Sequence, residues 1–135
     1  MNNVRFATSL HILTLLALNE GVYLSSDFIA GSVNVNAAAI RKEISNLKLC
    51  MLVESKEGKG GGSILARPAS QIKLSDVYDA VKQVHVLGRS NTPNPDCPVG
   101  KEVNRHLEAL YEDTDDYVRQ KLTTVTLKDF VQKFG

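Results

Sequence analysis

The chain has 135 residues, of which 43% are hydrophobic and 23% charged, a composition typical of one folded domain rather than of a disordered chain. Its formal net charge of +1 excludes an overall basic field, so a nucleic-acid partner would have to be recognised by a local patch. The absence of a segment of roughly 18 apolar residues, of a signal peptide at the start and of a cysteine framework predicts a soluble, cytoplasmic protein with no membrane partner.

Two helices are predicted in the first 33 residues. Apolar residues recur at helical spacing over residues 3–19, and they form a face so wide that we expect this helix to be buried on more than one side. Ser25 and Ser26 are suitable N-caps and Asp27 is a first-turn acid, which together predict a short second helix over residues 27–32.

A third helix is predicted from a cap at either Asn34 or Asn36 to about Leu49. Its apolar residues fall on one inward stripe at i, i+4 and i+7: Ile40, Ile44 and Leu47. Its other side carries small, polar and basic residues: Asn36, Ala38, Arg41, Lys42 and Ser45.

A β-hairpin is predicted after this helix. Residues 51–55 and 63–66 read as two strands, and four of the five residues 58–62 are glycine. Because glycine weakens both helices and strands, the segment between the two runs is predicted to be a loop.

One long helix dominates the second half of the chain. A shorter helix begins at Ser75 and Asp76 and runs to about Val84, and residues 88–98 form a proline-rich loop. Pro98 suits the first turn of the next helix, predicted over residues 99–122. At about 1.5 Å per residue that helix spans on the order of 36 Å, longer than a domain of this size needs for its own core.

A stripe on the long helix repeats every 3.5 residues, which is the spacing of a helix that packs along another helix. Its members are Val103, Leu107, Leu110, Thr114, Tyr117 and Lys121. We predict that the first five form a homodimer interface, closed by the first and last helices; the alternative is that they belong to the core of one protomer. The last helix starts at a capping-box pattern, Thr126-x-x-Asp129.

This order of elements predicts a fold that is mainly α with a small β-hairpin: a winged helix-turn-helix plus a long dimerisation helix. A helix fits the major groove of DNA, where Asn can pair with adenine, Arg with guanine, and Ala can contact the thymine methyl group. Residues 41–67 carry six Lys or Arg against three Asp or Glu, whereas residues 107–117 carry five acids and no base. We therefore expect double-stranded DNA at the front half only. Taken singly, such a basic helix face is more often an ordinary solvated surface, and a glycine run an ordinary flexible hairpin.

Three segments resemble the IscR/NsrR (Rrf-type) family of bacterial transcription regulators. Residues 51–53 followed by 57–66 are similar to the wing of that family, residues 74–81 (LSDVYDAV) to the helix after the wing, and residues 94–100 (NPDCPVG) to its YwnA-like branch. The resemblance covers nearly the whole chain.

The resemblance implies a homodimeric DNA-binding transcriptional regulator, a repressor in our interpretation, on an inverted repeat. The start of the third helix, with Asn36, Ala38 and Arg41, would enter the major groove, joined by Lys42 and Ser45. Many members carry Arg in the wing where this chain has Glu57. Because an acid repels phosphate, we expect the wing to bind DNA through Lys56 and Lys59.

The chain divides into three expected functional parts. Residues 1–68 form the winged helix-turn-helix DNA-binding region, and residues 69–98 form a connecting helix and a sensor-type loop. Residues 99–135 form the dimerisation helix and a C-terminal helix that packs back.

A sensor in this chain would have to use Cys97. Members of the family often hold an iron–sulfur cluster through three cysteines in the loop before the long helix, but only Cys97 lies there, and Gly100 occupies the position of a nearby histidine ligand. We therefore predict no cluster and no metal. Cys97 lies at the expected helix N-cap, where a thiolate is favoured, so redox or stress sensing is our hypothesis for it; the alternative is an inert loop thiol. Cys50 is predicted to be buried.

The remaining polar residues give no catalytic pattern. We expect His11 to be a partly buried, hydrogen-bonded histidine, whereas His85 is isolated along the chain, with no metal-ligand spacing. The acidic run 112–116 is predicted to be solvated helix surface. The chain is thus predicted not to be an enzyme; a small enzyme using Cys97 and a winged-helix adaptor that does not read DNA are the alternatives.

Overall fold

The computed structural model describes residues 4–135, so residue 3, the predicted start of the first helix, lies outside the described residues. The described part is mainly α-helical with a two-stranded antiparallel sheet, as predicted. The helices are α1 (Arg5–Leu18), α2 (Ser26–Val33), α3 (Ala37–Leu49), α4 (Leu74–Val81), α5 (Pro98–Thr123) and α6 (Leu127–Val131). The strands are β1 (Val53–Lys56) and β2 (Gly62–Leu65), and short 3-10 turns cover Ala69–Gln71 and Gln132–Phe134.

Helix α1 lies at the centre of the hydrophobic core. It packs against α2, α3, α4, α6 and β2, and its buried side chains lie on several sides of the helix, as the width of its apolar face predicts. Ile12, Leu13 and Leu16 are almost completely buried. Each such side chain contributes about 1.5–3 kcal/mol of transfer free energy. This burial holds the three helices of the helix-turn-helix and the hairpin together as one unit.

The turn between α2 and α3 decides between the two candidate asparagine caps. Asn34 is the C-cap of α2 and has a left-handed φ of 64°, which asparagine tolerates well. Asn36 is the N-cap of α3, and its Oδ1 accepts a hydrogen bond of 2.8 Å from Ala39 N. Ser25 caps α2 as predicted, with Oγ accepting from Phe28 N at 3.1 Å.

The hairpin is shifted slightly from its predicted bounds. Met51 has a left-handed φ of 61° and is exposed, so the strand that we predict from residue 51 begins only at Val53. The return strand begins one residue earlier than predicted, at Gly62.

Gly62 is required by a close approach of two backbones. Its φ is 147°, and a Cβ at this position would lie 2.4 Å from Leu24 O. This close approach lets Leu24 and Ser63 form an isolated antiparallel β-bridge, in which Leu24 N donates to Ser63 O at 3.1 Å. The base of the hairpin is therefore attached to the segment that precedes α2.

The end of the chain returns to α1. Thr126 and Asp129 form the predicted capping box, with Thr126 Oγ1 accepting from Asp129 N and an Asp129 carboxylate oxygen accepting from Thr126 N, both at 3.1 Å. Helix α6 packs on α1, and Leu127 is fully buried in the core. Leu127 N also donates to Ile72 O at 2.7 Å, which joins α6 to the segment before α4.

Helix α4 is shorter and α5 slightly longer than predicted. α4 ends at Val81 rather than at Val84 because Lys82 adopts an extended conformation. α5 extends one residue beyond the predicted range at each end, from Pro98 to Thr123, and its 26 residues span about 39 Å. None of the helices within residues 4–135 is long and apolar enough to cross a membrane.

Candidate nucleic-acid interface

The outer face of α3 presents the predicted DNA-binding residues to solvent. Ile40, Ile44 and Leu47 point inward and are buried, as their spacing predicts. The residues that the sequence places on the other side are all exposed: Asn36, Ala38, Arg41, Lys42 and Ser45. The structure therefore brings the proposed base-reading and phosphate-binding groups together on one side of one helix.

The acid of α3 is turned away from this face. Glu43 is buried, and its carboxylate accepts from Arg5 Nη2 at 2.9 Å and from Arg5 Nε at 3.2 Å. Glu43 is the single Asp or Glu in α3. Because its charge is matched by a cation of α1, the exposed side of α3 carries Arg41 and Lys42 with no acid of its own helix beside them.

Asn36 has a structural task as well as the predicted DNA contact. Its Oδ1 caps α3 by accepting from Ala39 N. Bidentate recognition of adenine uses both the oxygen and the nitrogen of an asparagine amide. We therefore expect Asn36 to bind DNA mainly as a donor, through Nδ2.

Helix α3 also makes a polar contact with α4, in addition to the Glu43–Arg5 pair that joins it to α1. Asn46 Nδ2 donates to Ala80 O of α4 at 2.8 Å. This hydrogen bond joins α3 directly to the second half of α4.

The wing carries charges of both signs. Lys56, Glu57 and Lys59 are all exposed, with Lys59 in the glycine loop. The Lys56 ammonium lies 5.7 Å from the centre of the Tyr23 ring, a cation–π distance. Across the hairpin, the Ser55 and Ser63 hydroxyl oxygens are 3.0 Å apart. Glu57 offsets one of the two lysines, so we expect the wing to add less phosphate binding than α3 does.

The predicted stripe of α5 lies beside the face that α5 uses within its own protomer. The inward face contains Tyr111 and Asp115, both buried. Leu110 and Tyr117 of the stripe are 52% and 77% exposed. Val103, Leu107 and Thr114 are half-buried. The stripe is therefore largely free to contact another molecule.

Cys97 is exposed at the N-cap of α5. The backbone N–H groups of Gly100 and Val99 lower the pKa of its thiol from the ordinary value, because they favour the negatively charged thiolate. The backbone of the preceding loop packs closely against Gly100 in the first turn of α5. A Cβ at position 100 would lie 2.5 Å from Asn94 O, so there is no room for a side chain.

The prediction that Cys50 is buried is wrong. Cys50 is the C-cap of α3 and is exposed. The left-handed turn at Met51 carries the chain from α3 into the hairpin, and Leu52 rather than Cys50 or Met51 enters the core. Apolar neighbours in sequence therefore do not indicate burial at a helix end.

The donors around this loop do not match an iron–sulfur cluster. The chain has two cysteines, and only Cys97 lies in the loop that leads into α5. A histidine in place of Gly100 would collide with the backbone of the loop. Within residues 4–135 there is also no group of three or more His, Cys, Asp or Glu side chains placed to hold a metal ion. Two Cys97 thiolates from two protomers would still supply fewer ligands than such clusters use.

The prediction that the acidic run is solvated surface is wrong for Asp115. Its side chain is only 6% exposed, and its carboxylate accepts from Lys82 Nζ at 3.0 Å, from Val86 N at 2.8 Å and from His85 Nδ1. The other ring nitrogen of His85 contacts a Glu108 carboxylate oxygen at 3.2 Å. His85, isolated in sequence, therefore joins the loop after α4 to α5.

These contacts shift two pKa values in opposite directions. Burial alone raises the pKa of Asp115, but hydrogen bonds from Val86 N, His85 and Lys82 outweigh it and lower the pKa to about 2. The hydrogen bond to Asp115 raises the pKa of His85, and the charge of Glu108 adds to the effect. The imidazolium form, which donates from both nitrogens, is thus favoured.

Asp115→Asn is expected to destabilise the fold. The asparagine can still accept from Val86 N, but it cannot neutralise Lys82 and His85. The loss is on the order of 2 kcal/mol, as expected for a pKa lowered from 3.8 to about 2 in a buried group. Because the folded pKa of Asp115 is depressed, this difference should be full above about pH 5 and should vanish as the pH falls toward 2.

Urea unfolding from pH 2 to pH 8 measures this difference. Asp113→Asn is the matched control, since Asp113 lies exposed in the same acidic run. Equal stability of the Asp115 and Asp113 variants at pH 7 would contradict the conclusion that Asp115 attaches the loop after α4 to α5.

His11 is placed as predicted. It is half-buried, and its Nε2 lies 2.9 Å from Ser32 Oγ. The hydrogen bond joins α1 to α2 and leaves His11 with a structural role.

Comparison with known proteins agrees with this arrangement. The sequence profile of the Rrf2 family, described as iron-dependent transcriptional regulators, matches residues 3–133. The chain is 38% identical over 130 residues to YwnA of Bacillus subtilis, named as an HTH-type transcriptional regulator, with 96% of each chain covered.

Solved structures show the same fold. A crystal structure described as a DNA-binding protein superposes with a TM-score of 0.74 at 34% identity, covering 93% of this chain and 97% of the other. The cysteine regulator CymR of B. subtilis superposes with a TM-score of 0.72 at 21% identity, covering 98% of this chain and 97% of the other. The exposed basic face of α3, the wing and this similarity over the whole chain lead to one conclusion: the protein is a DNA-binding transcriptional regulator, not an enzyme, and belongs to the Rrf2 family.

Proposed function

We propose that the protein is a homodimeric repressor that binds an inverted repeat, acting in the cytoplasm of a bacterium. Residues 1–68 form the DNA-binding region, 69–98 connect it to a sensor-type loop, and 99–135 hold the dimer together. The observation that carries the proposal is the outer face of α3, which exposes Arg41 and Lys42 while Glu43 is paired inside with Arg5.

In this proposal α3 reads bases and the wing binds phosphate. Arg41 is the candidate for a guanine contact, and Ala38 for a thymine methyl group. Lys42, Ser45 and Asn36 add hydrogen bonds from the same face, and Lys56 and Lys59 add phosphate contacts from the wing.

The dimer is held in this proposal by the stripe of α5. Two copies of Leu107, Leu110 and Tyr117 would cover each other and remove apolar surface from water. The pair of α3 helices would then lie about 34 Å apart, one helical turn of DNA, in successive major grooves. A signal that changes the angle between the protomers would break this spacing.

Selection of bound sequences from random duplex DNA tests the proposal. We expect a two-fold symmetric motif, with binding that weakens steeply as salt increases because phosphate contacts release counterions. Enrichment of no motif, together with salt-independent binding, would instead favour a winged-helix adaptor.

We further propose that oxidation of Cys97 changes DNA binding. With hydrogen peroxide, the thiolate sulfur would take one oxygen, giving a sulfenic acid and hydroxide. The exposure of Cys97 and its lowered thiol pKa support this reaction.

The expected result is that peroxide or hypochlorite alters the DNA affinity of the wild type but not of Cys97→Ser. Cys50→Ser is the matched control, because Cys50 is exposed as well, and it should respond like the wild type. Equal responses of wild type and Cys97→Ser in a fluorescence anisotropy titration would remove the sensor role.

We propose, finally, that the protein works without an iron–sulfur cluster. The presence of only one cysteine in the loop that leads into α5 and the crowding at Gly100 support this. Anaerobically purified protein should contain background iron only and should show no absorption band of a cluster. Stoichiometric iron would refute the proposal.

A further inference from the structure

A cleft with basic walls opens between the end of α4 and α5. Its volume is about 490 Å3, and it is lined by Lys82, His85, Gly88, Arg89, Ser90 and Glu108, together with two residues of the loop. This volume falls within the range of sites for small molecules, about 300–1,000 Å3.

The cations around the cleft outnumber the acids that neutralise them. Lys82 pairs with Asp115, and His85 bridges Asp115 and Glu108. Within residues 4–135, Arg89 has no ion pair or hydrogen bond of its side chain. The two acids are therefore already shared between Lys82 and His85, and the guanidinium of Arg89 remains without a counter-ion.

The walls of the cleft are held in place. Gly88 N donates to His85 O at 2.9 Å in a turn that requires the φ of 102° found at Gly88. Asp115 anchors the opposite side through Lys82, His85 and Val86 N. Arg89 and Ser90 follow this turn directly, so their donors are presented from a constrained segment.

We propose that this cleft binds a small anionic metabolite with a carboxylate or phosphate group, and that Arg89 is its main contact. A planar guanidinium matches such groups with two parallel hydrogen bonds. Lys82 and Ser90 supply further donors, and Glu108 disfavours ligands of high negative charge on its side.

Binding here would reach the DNA-reading helix through α4. The cleft is lined on one side by Lys82, the C-cap of α4, and on the other by Glu108 of α5. Helix α4 in turn contacts α3 through the hydrogen bond from Asn46 to Ala80. An anion that draws Lys82 away from Asp115 would remove one of the polar contacts between the end of α4 and α5, while Arg119 of α5 stays paired with Asp79 of α4. This regulatory consequence rests on the proposed function, whereas the binding site does not.

The site is tested without DNA, by titrating the full-length protein with inorganic phosphate or citrate while amide NMR shifts are recorded at constant ionic strength. We expect saturable shifts at Gly88, Arg89 and Ser90, with affinity reduced about tenfold or more in Arg89→Ala. Arg105→Ala is the control, because Arg105 is an exposed α5 arginine that pairs with Glu102 outside the cleft. Whichever anion saturates at the lower concentration identifies the preferred group. Unsaturable shifts, or equal affinity in Arg89→Ala, would overturn the site.

A second titration, on a selected duplex, separates this site from the proposed function. The bound anion should change DNA affinity in the wild type and Arg105→Ala but not in Arg89→Ala. An unchanged affinity in the wild type would overturn the regulatory role, and loss of DNA binding by Arg89→Ala without any anion would mean that Arg89 contacts DNA instead. Saturable anion binding by a protein that binds no DNA would refute the proposed function and leave the site intact.

Discussion

Leu110→Glu is expected to sediment as a monomer and to lose DNA binding by on the order of 100-fold, because two linked half-site contacts become two separate ones. Leu110 is 52% exposed in the protomer, so a glutamate there can remain solvated in the isolated chain. In the dimer, the same carboxylate would have to be buried against an apolar stripe. The substitution therefore acts on association rather than on folding.

Ala109→Glu is the matched control for this change. Ala109 is exposed on α5 and lies outside the repeating stripe, so its variant should remain dimeric and should bind DNA normally. Circular dichroism establishes that both variants retain their helices, and sedimentation velocity measures their assembly. A dimeric Leu110→Glu protein with normal DNA affinity would show that the interface lies elsewhere.

Arg41→Ala is expected to relax sequence preference at one position of each half-site by about 1–3 kcal/mol, provided that the guanidinium reads a guanine. Arg41 is exposed on α3 and, within residues 4–135, makes no ion pair. Its removal should therefore leave the stability of the fold unchanged. The measurement is the affinity for the selected operator and for its single-base variants.

Lys59→Ala separates base reading from phosphate binding. A wing lysine that binds phosphate should weaken binding equally for every sequence and reduce the salt dependence by about one unit of slope. Arg105→Ala, on the exposed surface of α5, should change neither property. An Arg41→Ala protein with the sequence preference of the wild type would remove Arg41 from the base-reading site.

The local elements of this fold could be predicted because their causes lie within a few residues of one another. The stripe of Ile40, Ile44 and Leu47 follows from the period of a helix, and the box of Thr126 and Asp129 from the unpaired N–H groups of a helix start. Pro98 marks the first turn of α5 for a similar reason: it has no N–H group to leave unpaired.

The contacts that join the elements could not be predicted in this way. Asp115 lies in an acidic run that resembles solvated surface, and its partners Lys82 and His85 are about 30 positions away in sequence. From the sequence, Glu43 could be taken for one more charged residue of the DNA-binding face. In the structure it is buried and paired with Arg5 of α1. A charged group can be buried only if a partner of opposite charge, often distant in sequence, packs beside it. The periodicity of apolar residues along the chain carries no information about such a partner.

By itself, the sequence determined the helices, the hairpin and the small, basic outer face of α3, because helical periodicity and capping act over short distances. The tertiary structure alone decided that Cys50 is exposed, that Glu43 turns inward and that the loop with His85 is pinned to α5. These outcomes depend on which surfaces meet when helices pack, and on the charged partners that lie there.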